Sequence, residues 1–363
     1  MAQTRGGLIL RLLLTGGCGF IGSHTIRKVL QRKEVDRVVN IDALTYSGNP
    51  INLSDIEDER YHFVHASIND KNTVARLLEQ EKIDVIIHLA AESHVDRSIN
   101  SVQPFIATNI DGTRVLLECV REREEKGGKV AFVHISTDEV YGSLGADDSP
   151  FTEETPLDPQ NPYAATKAAA DMLVRAFVNT YGISACITRC SNNYGPNQFP
   201  EKLIPLMTLN AINGNSLPVY GDGKQVRDWI HVNDHAMGIL AVMDGLISGR
   251  VKTGEVINIG ADNEQSNIDV IRAIIGYTNA DETLIQHVKD RPGHDRRYAM
   301  GYEKAKQLLG WSPIIEWKDG LAQTVDWYLT NTTWVNSVLN GEYRDWVKRH
   351  YTDEREQGSP INV

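Results

Sequence analysis

The residues best equipped to do chemistry stand together in Ile135-Ser-Thr-Asp-Glu-Val-Tyr-Gly-Ser143. Asp138 and Glu139 are adjacent carboxyls at the end of an apolar run, Val130–Ile135, that reads as a buried strand. Two readings compete. The pair is a solvated turn, or it is a proton donor and a proton acceptor held over a substrate. The second reading needs one carboxyl protonated while its neighbour is ionised, and burial with mutual repulsion can separate two titrations that far. It also needs the strand to end before Asp138, because consecutive strand residues point to opposite faces. The Tyr141-Gly142 that follows supports such an end.

Tyr163-Ala-Ala-Thr-Lys167 is the second reactive group. A spacing of four puts both side chains on one helix face. An ammonium near a phenol favours the tyrosinate, which can then act as a base near neutral pH. Spacing alone is not specific, because Tyr302-Glu-Lys-Ala-Lys306 repeats it and reads as a surface helix. Tyr163 stands apart because it follows the strand that ends in Ser136–Glu139.

Thr15-Gly-Gly-Cys-Gly-Phe-Ile-Gly22 follows the first apolar run and opens a helical pattern. Gly17, Gly19 and Gly22 match GxGxxG, and Gly16, Gly19 and Gly22 match GxxGxxG. Such glycines let backbone N–H groups approach a pyrophosphate at a helix N-terminus. Asp42 ends the second apolar run, where an acid binds an adenosine ribose. No Arg or Lys lies within Ala43–Asn49 to hold a 2′-phosphate, which favours NAD over NADP.

The elements that must position these groups alternate. Leu8–Leu14, Val38–Ile41, Tyr61–His65, Val85–Leu89, Val130–Ile135 and Ala185–Thr188 read as buried strands. Between them, Phe20–Gln31, Asn72–Gln80, Phe105–Arg123 and Pro162–Tyr181 read as helices. This pattern predicts an α/β fold, a Rossmann-type doubly wound parallel sheet, over residues 1–190. Beyond that, Pro and Gly cluster and the elements shorten: strands at Asp228–Val232 and Val256–Ile259, helices at Glu201–Asn213 and Val232–Leu246. Residues 191–363 therefore read as a smaller mixed α/β lobe, with some chain crossing back to the first domain. From Lys318 the chain reads as Trp- and Tyr-rich helices with a polar end after Tyr351.

The 363 residues carry a formal charge of −11, which argues against a general nucleic-acid binder. An anionic substrate would need local Arg or Lys. Cys18, Cys119, Cys186 and Cys190 show no CxxC or metal-like spacing and read as reduced thiols of a cytoplasmic protein. No metal site is expected. GGLILRLLL is interrupted by Arg11 and too short to span a membrane; it reads as the first strand behind a ragged leader. Among the 11 histidines, His88 and His134 sit in apolar runs and read as satisfied core groups, while His94 and His294 sit in loop motifs and are the better site candidates.

Taken together, TGGCGFIGS, HLAAESHVDRS (88–98), STDEVYG (136–142), YAATK, RCSNNYGP (189–196) and DRPGHDRRY (290–298) resemble the extended short-chain dehydrogenase/reductase family, within it the nucleotide-sugar 4,6-dehydratases. The resemblance runs from about residue 9 to residue 350. It implies that Phe20, Ile21, Asp42, Ala43, Leu44 and Thr45 join the glycines at NAD, with Ser67, Ile68, Leu89, Ala90, Ala91, Ser93, Thr108 and Asn193. Lys167 would hold the nicotinamide ribose beside Tyr163. For the nucleotide sugar it implies Ser93, Thr137 and Asn192, then Lys202, Leu203, Ile204, Pro205, Leu206 and Met207. It adds Pro218, Val219, Tyr220, Arg227, Asn258, Asp290, Arg291, Pro292, Gly293 and His294. Arg227 is the candidate diphosphate contact, since guanidinium binds phosphate bidentately. The implied substrate is dTDP-glucose before UDP-glucose, and the implied assembly is a homodimer.

The resemblance also implies a role for each reactive group. Tyr163 would be the base at the sugar O4, with Thr137 at the same oxygen, Glu139 the base at C5 and Asp138 the acid at O6. Two residues depart from the family pattern. Ser67 stands where the family has an Asp, and Cys18 replaces a smaller residue in the glycine turn, where its thiol could be reactive near a helix N-terminus. A nucleotide-sugar 4-epimerase would use the same Tyr163, Lys167 and NAD but has no use for an acid–base pair at C5 and C6. A non-catalytic NAD-binding scaffold would need none of the set.

Overall fold

The computed structural model describes residues 3–4, 7–290 and 294–339. Its main sheet contains β1 (Leu10–Thr15), β2 (Val35–Asp42), β3 (Tyr61–His65), β4 (Val85–His88), β5 (Ala131–Thr137) and β6 (Ala185–Cys190). Every pairing is parallel, and the order across the sheet is β3-β2-β1-β4-β5-β6, with one further strand beyond β6. The chain moves outward from β1 in one direction through β2 and β3, then returns to build β4, β5 and β6 on its other side. A crevice opens at the carboxyl ends where the direction reverses.

Each strand of the middle is apolar on both faces because helices cover both. Leu12 and Leu14 of β1 pack with Ile26 and Val29 of α1 (Phe20–Leu30), while Leu13 joins Val39, Ile86 and Leu116 on the opposite side. This is the period-two alternation of a strand buried twice. α2 (Lys71–Gln80), α3 (Val95–Asn100), α4 (Thr113–Glu125) and α5 (Pro162–Tyr181) complete the first half.

The helix expected over Phe105–Arg123 is divided. Ile106–Gly112 forms a π-helical turn before α4 begins at Thr113. Its buried Asn109 donates to Glu92 O and to Thr166 Oγ1, both at 3.0 Å, and accepts from Glu92 N at 2.9 Å. The widened turn thus ties the loop after β4 to α5, a tertiary demand that apolar periodicity does not record.

In the second half, β7 (Asn192–Tyr194) runs parallel to β9 (Val226–His231), which also pairs antiparallel with β11 (Glu264–Ser266). β8 (Leu217–Tyr220) runs parallel to β12 (Ile285–Val288). α6 (Leu203–Ile212) and α8 (Asn267–Thr278) close a core around Ile204, Met207, Trp229 and Ile271, and α7 (Val232–Ser248) covers the main sheet beside α1. The strand β10 (Val256–Ile259) belongs to the main sheet, against β6, and not to the smaller lobe's own sheets. A four-residue, mostly apolar run reads the same in either sheet, so only pairing distinguishes them. Helices follow at Trp317–Thr330 and Thr332–Leu339; the aromatic tail read beyond that lies outside the described residues.

The turn after β1 is set by close approach. Gly16 has φ +72°, and a Cβ there would sit 2.8 Å from Ala90 backbone atoms. A Cβ at Gly22 would lie 2.3 Å from Gly16 O. Gly22→Ala should therefore lower stability by about 1–3 kcal/mol, read as a fall in melting temperature. An unchanged melting temperature would mean that the turn is looser than this packing.

Candidate active site

β5 ends at Thr137, and Asp138–Tyr141 forms a 3-10 turn. The extended period is broken at the point the acid–base reading requires. Thr137 caps the turn: its hydroxyl accepts from Glu139 N at 3.4 Å and donates to Asp138 Oδ1 at 3.2 Å. Asn161 acts at both ends of its amide. Its Oδ1 accepts from Ala164 N at 2.9 Å, which with Pro162 starts α5, and its Nδ2 donates to Glu139 Oε2 at 3.2 Å. The cap of the helix carrying Tyr163 therefore also orients Glu139.

Asp138 is 2% exposed, and its Oδ2 makes no hydrogen bond. Burial pushes its carboxyl well above the usual range, and Glu139 and Asp228 reinforce the shift against Arg227 and Thr137. Burial thus favours its protonated form. Asp228 is itself held by Asn263 N at 2.7 Å and Ala261 N at 3.1 Å.

Tyr163 departs from expectation. Burial raises its phenol well above 10, Glu139 and Cys190 add to this, and the Thr137 hydroxyl opposes it. The Lys167 Nζ donates to Ile135 O at 2.7 Å. Burial brings Lys167 down to about 8, with Asp171 pushing it back up. Tyr163, Lys167 and Asp171 follow one another at four-residue steps along α5, and Asp171 accepts from Arg189 Nε at 2.9 Å.

Two cavities meet here. The larger, of about 340 Å³, lies at the crevice of the main sheet and is lined by Gly16, Gly19, Phe20, Ile21 and Gly22, by Asp42, Ala43 and Thr45, and by Ser67, Ile68, Leu89, Ala90, Ala91, Ser93 and Thr108. Thr137, Asp138, Glu139, Tyr163 and Lys167 form its inner end. The smaller, of about 170 Å³, is lined by Leu203, Leu206, Met207, Pro218, Val219, Tyr220, Arg227 and His294. Glu139, Asn192, Asn193, Gln198, Glu201 and Lys202 line both and form a shared wall.

The larger cavity fits a dinucleotide. It begins at the N-terminus of α1, where a Cβ on Gly19 would meet nothing nearer than Gly16 O at 3.2 Å. Asp42 accepts from Cys18 N at 2.9 Å and Leu44 N at 2.8 Å, so it stitches the glycine turn while its carboxylate lines the cavity. Ser136 Oγ, on the same lining, is buried without a hydrogen-bond partner.

Several sequence expectations change. Leu44 is off the lining and packs on the core. Ile204 is fully buried in the second core, and Pro205 is buried beside it; α6 turns them inward. Asn258 is fully buried, accepts from Tyr141 OH at 2.8 Å and lines neither cavity. Asn267, at the start of α8, lines the smaller one instead. Asp290 accepts from Gln225 at 3.0 Å and contacts His294 Nδ1 at 2.6 Å, so it braces a lining residue from outside. Arg291, Pro292 and Gly293 lie outside the described residues. The Cys18 thiol is buried and held up at about 12 by burial and Asp42, which makes it unreactive. His88 is satisfied by Thr15 at 2.8 Å and Thr113 at 2.9 Å, and His134 Nε2 lies 3.5 Å from Asp171 Oδ1. His94 does reach the smaller cavity. Glu201 and Gln198 carried no sequence signal, because a carboxyl or amide beside Pro196 and Pro200 reads as solvated, and Asn267 reads as an ordinary helix-start polar residue.

Comparison with known proteins agrees with this geometry. The sequence model of a family described as GDP-mannose 4,6 dehydratase matches residues 13–324. A relative, dTDP-glucose 4,6-dehydratase 1 of Escherichia coli (strain K12), is 47% identical, with 94% of this chain and 99% of that protein aligned. The chain belongs to the dTDP-glucose 4,6-dehydratase family. The solved structure of DesIV, a dTDP-glucose 4,6-dehydratase from Streptomyces venezuelae with NAD bound, superposes with a TM-score of 0.85 at 44% identity, covering 91% of this chain and all of that one. A UDP-glucose 4-epimerase from Thermotoga maritima shares the fold at a TM-score of 0.80, with 29% identity over 89% of this chain and all of that one. Among the described residues no group of His, Cys, Asp or Glu could hold a metal, and no helix is long and apolar enough to cross a membrane.

The buried acid leaves a mark on stability. The folded state binds the Asp138 proton more tightly than the unfolded chain, whose carboxyl titrates near about 4. The stability this group contributes is therefore whole below that pH and drains away as pH rises toward the folded value. Asp138→Asn should stabilise the protein at pH 7 by about 1 kcal/mol or more, and the gain should vanish toward the acid end of a melting-temperature series. A gain equal at all pH values would mean that Asp138 is not held protonated.

Proposed function

We propose that this chain converts dTDP-glucose to dTDP-4-keto-6-deoxyglucose and water. The observation that carries the reading is the 3-10 turn that brings Asp138, whose protonated form burial favours, and an Asn161-oriented Glu139 to one cavity end beside Tyr163. Residues 1–190 hold the cofactor, and 191–363 hold most of the nucleotide sugar.

Gly16, Gly19, Gly22 and Asp42 hold NAD at the sheet crevice. When bound there, NAD would supply the hydride acceptor for the sugar C4 and the hydride donor for C6. Tyr163 removes the O4 proton, and Thr137 hydrogen-bonds the same oxygen. Lys167, released from Ile135 O, supplies the positive charge that tyrosinate needs. The ketone formed at C4 acidifies C5–H. Glu139 takes that proton, and Asp138 gives its own to O6 as water leaves. Glu139 then returns a proton to C5. An adjacent carboxylate that is ionised helps keep Asp138 protonated, so the acid and base reinforce each other's roles. Arg227 is buried over the Tyr298 ring at 4.2 Å and donates to Val226 O and Asp295 O, which presents a rigid cation to the diphosphate.

The partner is a second copy of the chain. Ile99, Val102, Ile106 and Met172 are 36–42% exposed on α3, the segment that follows it, the π-helical turn and α5, and α5 packs against both α3 and the π-helical turn. Four free, buried cysteines suit the reducing cytoplasm.

The activity is tested with dTDP-glucose deuterated at C4 and no added reductant. Loss of water with deuterium arriving at C6 is expected; an epimerised sugar that keeps its deuterium at C4 would replace this reading with an epimerase. For the assembly, light scattering should give a dimer that Met172→Glu converts to a monomer. A monomeric wild type would remove the second copy.

A further inference from the structure

The shared wall between the two cavities is where a hexose must lie, since the cofactor enters from one side and the nucleotide from the other. Glu139 on that wall is consumed by the chemistry. Glu201 is the other carboxyl on it, and no step uses it. Its side chain is 1% exposed. Oε2 is buried without a hydrogen-bond partner.

Its surroundings hold it still. Arg97 Nε lies 3.3 Å from Oε2 and His94 Nε2 lies 3.8 Å away. The Arg97 guanidinium is stacked over the Tyr46 ring at 3.7 Å, and Tyr46 meets Phe199 edge-on. The neighbouring Lys202 donates to Ser93 O at 2.8 Å. Loops after β2, β4 and β7 are thereby locked around one carboxyl. The Tyr46 hydroxyl and Arg97 both bear on this carboxyl, but Oε2 makes no well-aligned hydrogen bond with either, which leaves it capacity to accept one more donor.

Resting on the dehydratase reading, we infer that Glu201 accepts a hydrogen bond from a hexose hydroxyl the reaction leaves intact, O2 or O3. It is a specificity-determining residue that selects a hydroxylated hexose and holds the ring in register with Glu139. Burial raises Glu201 to about 7, so a substantial fraction is ionised at neutral pH and the bond is charge-assisted. Recognition of this kind discriminates strongly, because a sugar lacking the hydroxyl leaves the buried oxygen unpaired.

The test compares kcat/KM for dTDP-glucose with that for its 2-deoxy and 3-deoxy analogues, in wild type and in Glu201→Ala. Wild type should lose about 10- to 100-fold on one analogue. In Glu201→Ala that penalty should collapse, while inhibition by dTDP alone stays within about 2-fold of wild type because no sugar is present. Equal penalties in both proteins would overturn the inference. If Glu201→Ala does not fold, wild type still decides: equal kcat/KM for all three sugars would overturn it. If wild type ignores dTDP-glucose but dehydrates UDP-glucose, the nucleotide assignment fails by itself, and the UDP-linked deoxy series then decides on Glu201 by the same criterion.

Discussion

A carboxyl group sealed from water beside a second carboxyl and near a third cannot carry charge at low cost, and Asp138 is in that position. The upward shift of its titration is a consequence of where β5 stops. One residue more of strand would turn Asp138 and Glu139 to opposite faces. The 3-10 turn capped by Thr137 prevents this, and the cap uses the same hydroxyl that neighbours Tyr163. The turn is held in turn by Asn161, which starts the next helix. Asp138, Glu139 and Tyr163 are therefore mechanically one unit.

The cofactor half follows a similar economy of parts. Asp42 closes the glycine turn through Cys18 N and Leu44 N and lines the cavity with the same carboxylate. Asn109 ties the loop after β4 to α5, so the cofactor crevice and the helix carrying Tyr163 and Lys167 move as one body. A reaction that must pass a hydride out and back within one sugar gains from that rigidity, because small displacements of reacting atoms are costly in rate.

Much of this was legible in order of residues. The parallel sheet followed from the alternation of apolar runs with helical patterns, and the dinucleotide crevice from glycines at positions where a Cβ collides with Ala90 or Gly16. What escaped was set by distance in sequence. β10 was readable as a strand but not as a neighbour of β6. Asn258 was an attractive contact until its side chain proved to be occupied by Tyr141, and Asn267 was silent because an Asn at the start of α8 looks like any other helix-start polar residue.

The sequence by itself determined the covalent order of reactive groups, the helix spacing of Tyr163 and Lys167, and the glycine turn, because these are local rules of backbone geometry. Tertiary structure alone decided the protonation states. Burial raises Asp138 and Tyr163, brings Lys167 to about 8 and silences Cys18, and burial is created by chain segments far removed from each of them. It also decided that Glu201 faces the shared wall, because loops after three different strands must meet before that carboxyl has an environment.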